Sequence, residues 1–233
     1  MNVALLTTDT THHTYFAWKL AERFPLAAVV LEQRVAQPPF ETFHPFEADR
    51  DAYERDVLLA GFDGGLDTIA PVRAVDTVND AGLVLRELEP DVLLVFGTGR
   101  LPPEAIAAAP VCLNLHGGNP EEYRGLDTHL WAIYHRDFDG LVTALHVVEP
   151  ELDTGDLVDV APIPLSRGMH LYELRSRNTQ VCVELALRAL ERLDASGAVT
   201  RSPQARRGRY YSFMPAVLKD RCVRQFEQHT ASL

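Results

Sequence analysis

Three apolar runs with no polar alternation, Val3–Leu6, Ala27–Leu31 and Val92–Phe96, constrain this chain more than anything else in it. A strand that shows one face to water is hydrophobic at every second position, whereas an unbroken run is covered on both faces, as in a parallel sheet packed between helices. The intervening stretches fit that reading. His12–Phe24 is long enough for a helix that stops before Pro25, and a helical stretch from about Asp80 to Glu89 is closed by Pro90. Pro102–Ala109 reads as a short helix with prolines at its start, leading to a fourth strand, Val111–Leu115, and Thr128–Phe138 as another helix. The expected class is α/β: a Rossmann-like, mostly parallel sheet with helices on both faces.

Beyond residue 140 the pattern changes. Leu141–Val148 and Leu157–Leu165 are β-like and flank a tight acidic turn, Pro150–Asp156. Leu171, Leu174, Val181, Leu185, Leu190 and Leu193 then mark one side of a long helix that runs to Ser196-Gly197. The expected division is a catalytic domain over 1–195 and a basic C-terminal extension over 196–233 with turn and strand character. From Thr200 onward seven basic residues face two acidic ones, within a chain of net charge −11. An acidic body argues against a general grip on nucleic acid, and the basic tail is expected either to pack on that body or to meet phosphate.

Several classes drop out. No apolar run approaches the roughly 18 residues that cross a bilayer, and no membrane partner is expected. The start, Met1-Asn2-Val3-Ala4, has no basic leader and reaches Asp9 within a few residues, so a cytoplasmic location is expected. Cys112, Cys182 and Cys222 are far apart and form no C-x-x-C pair, which points to reduced thiols. After the first strand comes Thr7-Thr-Asp-Thr-Thr-His-His13 instead of G-x-G-x-x-G, and no G-x-x-x-x-G-K-[ST] occurs, which disfavours NAD binding and kinase chemistry.

The informative stretch is Asn114-Leu-His-Gly-Gly118, where a buried strand runs into a glycine-rich turn. Asn114 and His116 share one face at the carboxyl end of the strand, where open α/β sheets place ligands. With Asp153 they supply what acyl transfer to an amine needs without a covalent intermediate: an amide to hold an oxyanion, an imidazole to hold charge or carry a proton, and a carboxylate to orient the imidazole or take the proton. Bland readings stand beside this one. Asn114 and His116 could satisfy turn amides, and Asp153 and Asp156 could shape a β-turn in which Gly155 supplies a positive φ. His116, His129 and Asp153 lack the spacing of known metal motifs, so no metal is expected. His12 and His13 open a helix and are expected to be solvated.

Asn114-Leu-His116, Tyr123-Arg-Gly125 shortly after, and Leu152-Asp-Thr-Gly-Asp156, with Asp153 37 residues beyond the histidine, together resemble the formyltransferases that use 10-formyltetrahydrofolate. That family includes methionyl-tRNA, glycinamide ribonucleotide and nucleotide-sugar enzymes. The resemblance implies a Rossmann-like catalytic domain, 10-formyltetrahydrofolate as formyl donor, and Asn114, His116 and Asp153 as the catalytic trio. It also implies that Thr98, Arg100 and Leu101, with Val148, Glu149 and Pro150, surround the pterin. Gly117-Gly-Asn-Pro120 departs from the family's serine and leucines after the histidine. The transfer-RNA enzymes continue into a β-barrel for which the 40 residues after Leu193 are too few, so no nucleic acid is expected as partner.

The expected function is N-formyl transfer to a primary amine of a small, phosphate-bearing acceptor, with a nucleotide-linked amino sugar first. Asp9, Thr10, His12 and Tyr123 are the candidate acceptor contacts. Alternatives are a 10-formyltetrahydrofolate hydrolase, a formyltransferase for glycinamide ribonucleotide or hydroxyornithine, and a catalytically silent folate-binding domain. Tyr210, Tyr211 and Phe213 beside Arg206, Arg207 and Arg209 could hold a base and a diphosphate, or form an edge strand that packs or joins a homodimer.

Overall fold

A computed structural model describes residues 1–34 and 37–233. In chain order the elements are β1 (Val3–Thr7), α1 (Thr11–Ala21), β2 (Leu26–Glu32), α2 (Pro45–Leu58), α3 (Leu66–Ile69), β3 (Val72–Val75), α4 (Ala81–Leu88), β4 (Val92–Phe96) and α5 (Pro103–Ile106). They continue with β5 (Val111–His116), β6 (Tyr123–Gly125), α6 (Thr128–Tyr134), β7 (Val142–Val147), β8 (Leu157–Pro162), α7 (Leu174–Ser196), β9 (Arg209–Tyr211) and α8 (Ala216–Ala231). Seven strands form one sheet in the order β3-β2-β1-β4-β5-β7-β8. The pairings from β3 to β5 are parallel, and β7 and β8 add antiparallel strands at one side. This is a Rossmann-like fold, as the unbroken apolar runs require.

Each face of the sheet carries its own core. On one side Val3, Leu5, Leu94, Leu113 and Leu145 pack against Phe16 and Leu20 of α1 and Val181, Leu185 and Leu190 of α7. On the other, Ala4, Leu6, Leu93, Val95 and Cys112 meet Leu85 of α4 and Ala105 of α5. Successive strand residues alternate between these two cores, which is why Val3–Leu6 of β1 and the whole of β4 are apolar. No helix among the described residues is long and apolar enough to cross a membrane.

The segment after α7 departs from expectation. It contains β9, but also the sixteen-residue α8. A stripe at a spacing of four, Leu218, Cys222, Phe226 and Thr230, turns inward, and Cys222 and Phe226 are fully buried beside Met214 and Ile133. Lys219 is buried as well, its Nζ donating to the Thr42 carbonyl at 2.6 Å and facing Glu47 at 3.3 Å. The basic tail therefore lies on the acidic body, with Arg206 paired to Glu122, Arg207 to Glu151 and Arg201 to Asp156.

Candidate active site

The site forms where β5 ends between β4 and β7. The register sets Asn114 opposite His146 of β7, so both side chains leave the sheet at the same level. Asn114 Nδ2 donates to His146 Nε2 at 3.1 Å. The other His146 nitrogen, Nδ1, lies 2.8 Å from the Val147 carbonyl. A carbonyl only accepts, so Nδ1 carries the proton and Nε2 keeps the lone pair that receives Asn114. His146 thereby fixes which way the Asn114 carboxamide faces. Asn114 is half-buried, and among the described residues its side chain makes no other hydrogen bond to protein.

His116 and Asp153 complete the cluster. His116 Nε2 donates to the Tyr123 carbonyl at 2.8 Å, which leaves Nδ1 facing Asp153 Oδ1 at 3.6 Å. The same Oδ1 lies 3.4 Å from His146 Nε2, and Oδ2 accepts the Gly125 amide at 2.7 Å. His116, His146 and Asp153 are all buried. Burial pushes the Asp153 carboxyl up, but the His116 charge, the close approach of His146 and the Gly125 amide outweigh it and hold the group at about 2. Burial draws the His116 imidazole below its ordinary value, and the Asp153 charge opposes that. The resting site thus pairs an ionised carboxylate with a neutral imidazole whose free nitrogen faces it.

The acidic turn is built differently from the sequence expectation. Asp153 itself takes the left-handed conformation, at φ 54°, which aspartate tolerates better than most residues. Gly155 is needed for close approach instead: a Cβ there would stand 1.9 Å from the Val147 carbonyl oxygen. Arg124, buried in β6, donates from Nε at 3.0 Å and Nη2 at 2.7 Å to the Leu152 carbonyl, so its charge braces the turn from behind and leaves the Asp153 carboxylate free of a guanidinium.

The remaining expected residues fall in three places. Leu101 is buried, Thr98 and Val148 are half-buried, and Arg100, Glu149 and Pro150 are exposed. The two segments adjoin, for Arg100 Nε donates to the Pro150 carbonyl at 2.6 Å and the Val148 amide to the Cys112 carbonyl at 2.9 Å. Asp9 is exposed and Thr10 half-buried at the start of α1, while His12 and His13 are buried rather than solvated. Both rings sit against Phe96, and α2 brings Glu54 to 3.8 Å from His12. Tyr123 places its ring on Tyr211 and its hydroxyl on Asp137 at 2.9 Å, presenting only its carbonyl to His116.

Two contributors escaped the sequence reading. His146 stands in the sequence only as a lone histidine in a strand that is otherwise apolar but for Thr143. Glu32, buried at the end of β2, accepts the Val78 amide at 3.1 Å and the Gly99 amide at 2.9 Å, and so fastens the Gly97–Leu101 loop. Among the described residues no group of three or more His, Cys, Asp or Glu side chains has the arrangement of a metal site.

Comparison with known proteins adds three findings. Residues 29–190 match the family model described as formyl transferase. Methionyl-tRNA formyltransferase of Acetivibrio thermocellus is 30% identical over 122 residues, covering 52% of this chain and 39% of that enzyme, so this chain spans well under half the length of that relative. Two solved structures share the fold. HypX from Aquifex aeolicus in complex with tetrahydrofolic acid aligns with a TM-score of 0.58 at 20% identity over 94% of this chain and 31% of its own. PseJ from Anoxybacillus kamchatkensis, in complex with UDP-4,6-dideoxy-4-formamido-L-AltNAc and tetrahydrofolate, aligns at 0.51 and 16% over 91% and 86%. With the family model covering most of the chain, the protein belongs to the formyl transferase family.

Proposed function

We propose that this chain moves a formyl group from 10-formyltetrahydrofolate to a primary amine on a small, phosphate-bearing acceptor, a nucleotide-linked amino sugar first among them. The observation that carries the reading is the buried polar chain Asn114–His146–Asp153–His116, with one amide hydrogen and one imidazole nitrogen left uncommitted. The donor is a substrate here. Leu101 and Val148, with the backbone of the two adjoining loops, offer an apolar and hydrogen-bonding surface beside Asn114 that suits a pterin. Tetrahydrofolate in HypX and PseJ supports that choice, and the sugar nucleotide in PseJ supports the acceptor.

The residues act in sequence. The neutral amine attacks the formyl carbon, and the carbonyl π electrons move to oxygen, where the second Asn114 Nδ2 hydrogen donates to the developing anion. The proton shed by the amine passes to His116 Nδ1. The resulting imidazolium lies between the Tyr123 carbonyl and the Asp153 carboxylate, which stabilise its two N–H groups. Collapse of the oxyanion breaks the bond to the folate N10, and His116 returns its proton to that nitrogen. The products are tetrahydrofolate and a formamide, and no serine or cysteine nucleophile takes part.

The test is a screen of amino-sugar nucleotides, glycinamide ribonucleotide, hydroxyornithine and methionyl-tRNA with 10-formyltetrahydrofolate, read by the absorbance of the folate product. Formylation of an amino-sugar nucleotide is the expected result. Turnover with methionyl-tRNA alone would overturn the acceptor assignment. Formate release without any amine would make the protein a hydrolase, and donor binding with no turnover would make it a silent folate-binding domain.

A further inference from the structure

The segment Arg201–Tyr211 returns to the active site after α7 and grips the turn that carries Asp153. Ser202 exchanges two backbone hydrogen bonds with Leu157 at the start of β8, at 2.8 and 2.9 Å. Gln204 reaches across, and its Nε2 donates to the carbonyls of Asp153 at 3.0 Å and Gly155 at 2.8 Å. Arg201 and Arg207 pair with Asp156 and Glu151 on either side of that turn. Finally β9 runs parallel to β6, the strand whose Gly125 amide holds Asp153 Oδ2 and whose Tyr123 carbonyl holds His116.

We infer that Gln204 is a positioning residue of the active site: its side-chain amide, by tying down the Asp153 and Gly155 carbonyls, sets the distance from the Asp153 carboxylate to His116 and His146. The catalytic consequence rests on the formyl-transfer reading; the positioning itself does not. Three features give the inference its force. Asp153 occupies a left-handed backbone conformation that persists only where its surroundings impose it. Arg124 holds the Leu152 carbonyl on one side of Asp153 and the Val147 amide holds the Asp156 carbonyl on the other, so among the described residues the Asp153 and Gly155 carbonyls between them depend on Gln204. Gln204 also spends both hydrogens of one amide on two carbonyls two residues apart, a fork that glutamate, lacking donors, cannot reproduce.

The experiment uses the full chain and two readouts. Gln204→Met keeps the side chain's length and removes both donors. Misplacing a catalytic group by about 1 Å costs on the order of 100-fold in rate, so Gln204→Met should lower kcat by at least about tenfold with the KM for 10-formyltetrahydrofolate unchanged. In an Asp153→Asn background the same substitution should change kcat less than about twofold, because two groups acting through one contact do not add. Independently of any acceptor, the Gly125 amide, held by Asp153 Oδ2, should lose at least about tenfold of its hydrogen-exchange protection while amides of β1 and β4 keep theirs.

Equal rate losses in both backgrounds, or an unchanged Gly125 exchange rate, would overturn the inference and leave Gln204 a general structural residue. If Gln204→Met does not fold, Gln204→Glu takes its place with the same expected outcomes, and Gln204→Arg, which restores donors, should recover kcat to within about threefold of the parent. A parent chain that formylates no amine would sink the functional reading while the exchange measurement still decides the positioning.

Discussion

Two clusters of buried histidine and carboxylate lie at the carboxyl ends of the strands, and they commit their carboxylates differently. In the first, His116 and His146 face Asp153, whose oxygens meet imidazole nitrogens and one backbone amide. In the second, His12 and His13 of α1 lie beside Glu54 of α2, but Arg175 of α7 clamps that carboxylate through Nε and Nη2, each at 2.6 Å. The chemical ingredients are alike. What differs is where the nearest guanidinium goes: Arg175 consumes Glu54, whereas Arg124 is spent on the Leu152 carbonyl and leaves Asp153 open to imidazole. Residue types near a crevice therefore say little about catalysis until their hydrogen-bonding capacity has been accounted for.

Removing the carboxylate from each cluster should separate the two roles. Asp153→Asn takes away the charge that stabilises the His116 imidazolium, and formyl transfer should fall by about 1000-fold, in the middle of the roughly 100- to 10,000-fold range for general acid–base groups. The depressed Asp153 carboxyl also contributes stability at neutral pH, so thermal unfolding should shift as well, and kcat is the readout that separates the clusters. Glu54→Gln should leave kcat within about threefold of the parent. Its stability should fall by about 2 kcal/mol, below the roughly 3–5 kcal/mol of a fully buried pair because the Arg175 side chain is 30% exposed. If Glu54→Gln abolished turnover while the protein stayed folded, the contrast between the clusters would be wrong.

The chain of inference from sequence shows the same division. Unbroken apolar runs in β1, β2 and β4 revealed a parallel sheet because burial on both faces leaves no polar position to confuse the period. Asn114, His116 and Asp153 were legible from residue type, order and the family resemblance, and they fall in one cluster, Asn114 joined to Asp153 through His146. His146 was not, because its importance comes from a strand register, opposite Asn114, that no local pattern encodes. Gln204 joins Asp153 across 51 residues, and such a contact is invisible to any argument from sequence spacing. The helix α8 was missed for a different reason: its stripe is short and mixes cysteine and threonine with leucine and phenylalanine, which dilutes a periodic signal that is nonetheless present.

Within the Asp153 cluster the next largest effect belongs to Asn114. Asn114→Ala deletes the donor to the oxyanion and should lower kcat by about 100-fold, near 3 kcal/mol of transition-state stabilisation, with a much smaller change in donor affinity measured by binding. His146→Phe should cost about tenfold. It keeps a ring in place but removes the acceptor that orients the Asn114 carboxamide, so the loss comes through a disordered donor instead of a missing one. In an Asn114→Ala background, His146→Phe should therefore lose most of its effect on kcat. A full additional tenfold loss there would assign His146 a separate role on the Asp153 side.

Acid should act on both clusters through stability alone. Burial holds His13 at about 3, with the charge of Arg175 acting in the same direction, and draws His12 well below 6.5. The unfolded chain therefore binds protons to these residues that the folded chain refuses. Their influence is absent above about pH 6.5, and stability falls as pH drops below it. Asp153 is depressed from 3.8 to about 2, so its contribution is intact above about pH 4 and is lost between about 4 and 2. Urea unfolding followed from pH 7 to 4 should thus show a decline to which the α1 cluster contributes together with buried His116 and His129, both drawn below their ordinary value. His13→Asn should reduce that decline, since a neutral amide has no proton to gain on unfolding, whereas Asp153→Asn, which removes a charge that favours the His116 proton, should not reduce it. A slope between pH 6.5 and 4 that followed Asp153 instead would mean that the carboxylate facing His116, and not the one clamped by Arg175, sets the protonation of the folded protein in that window.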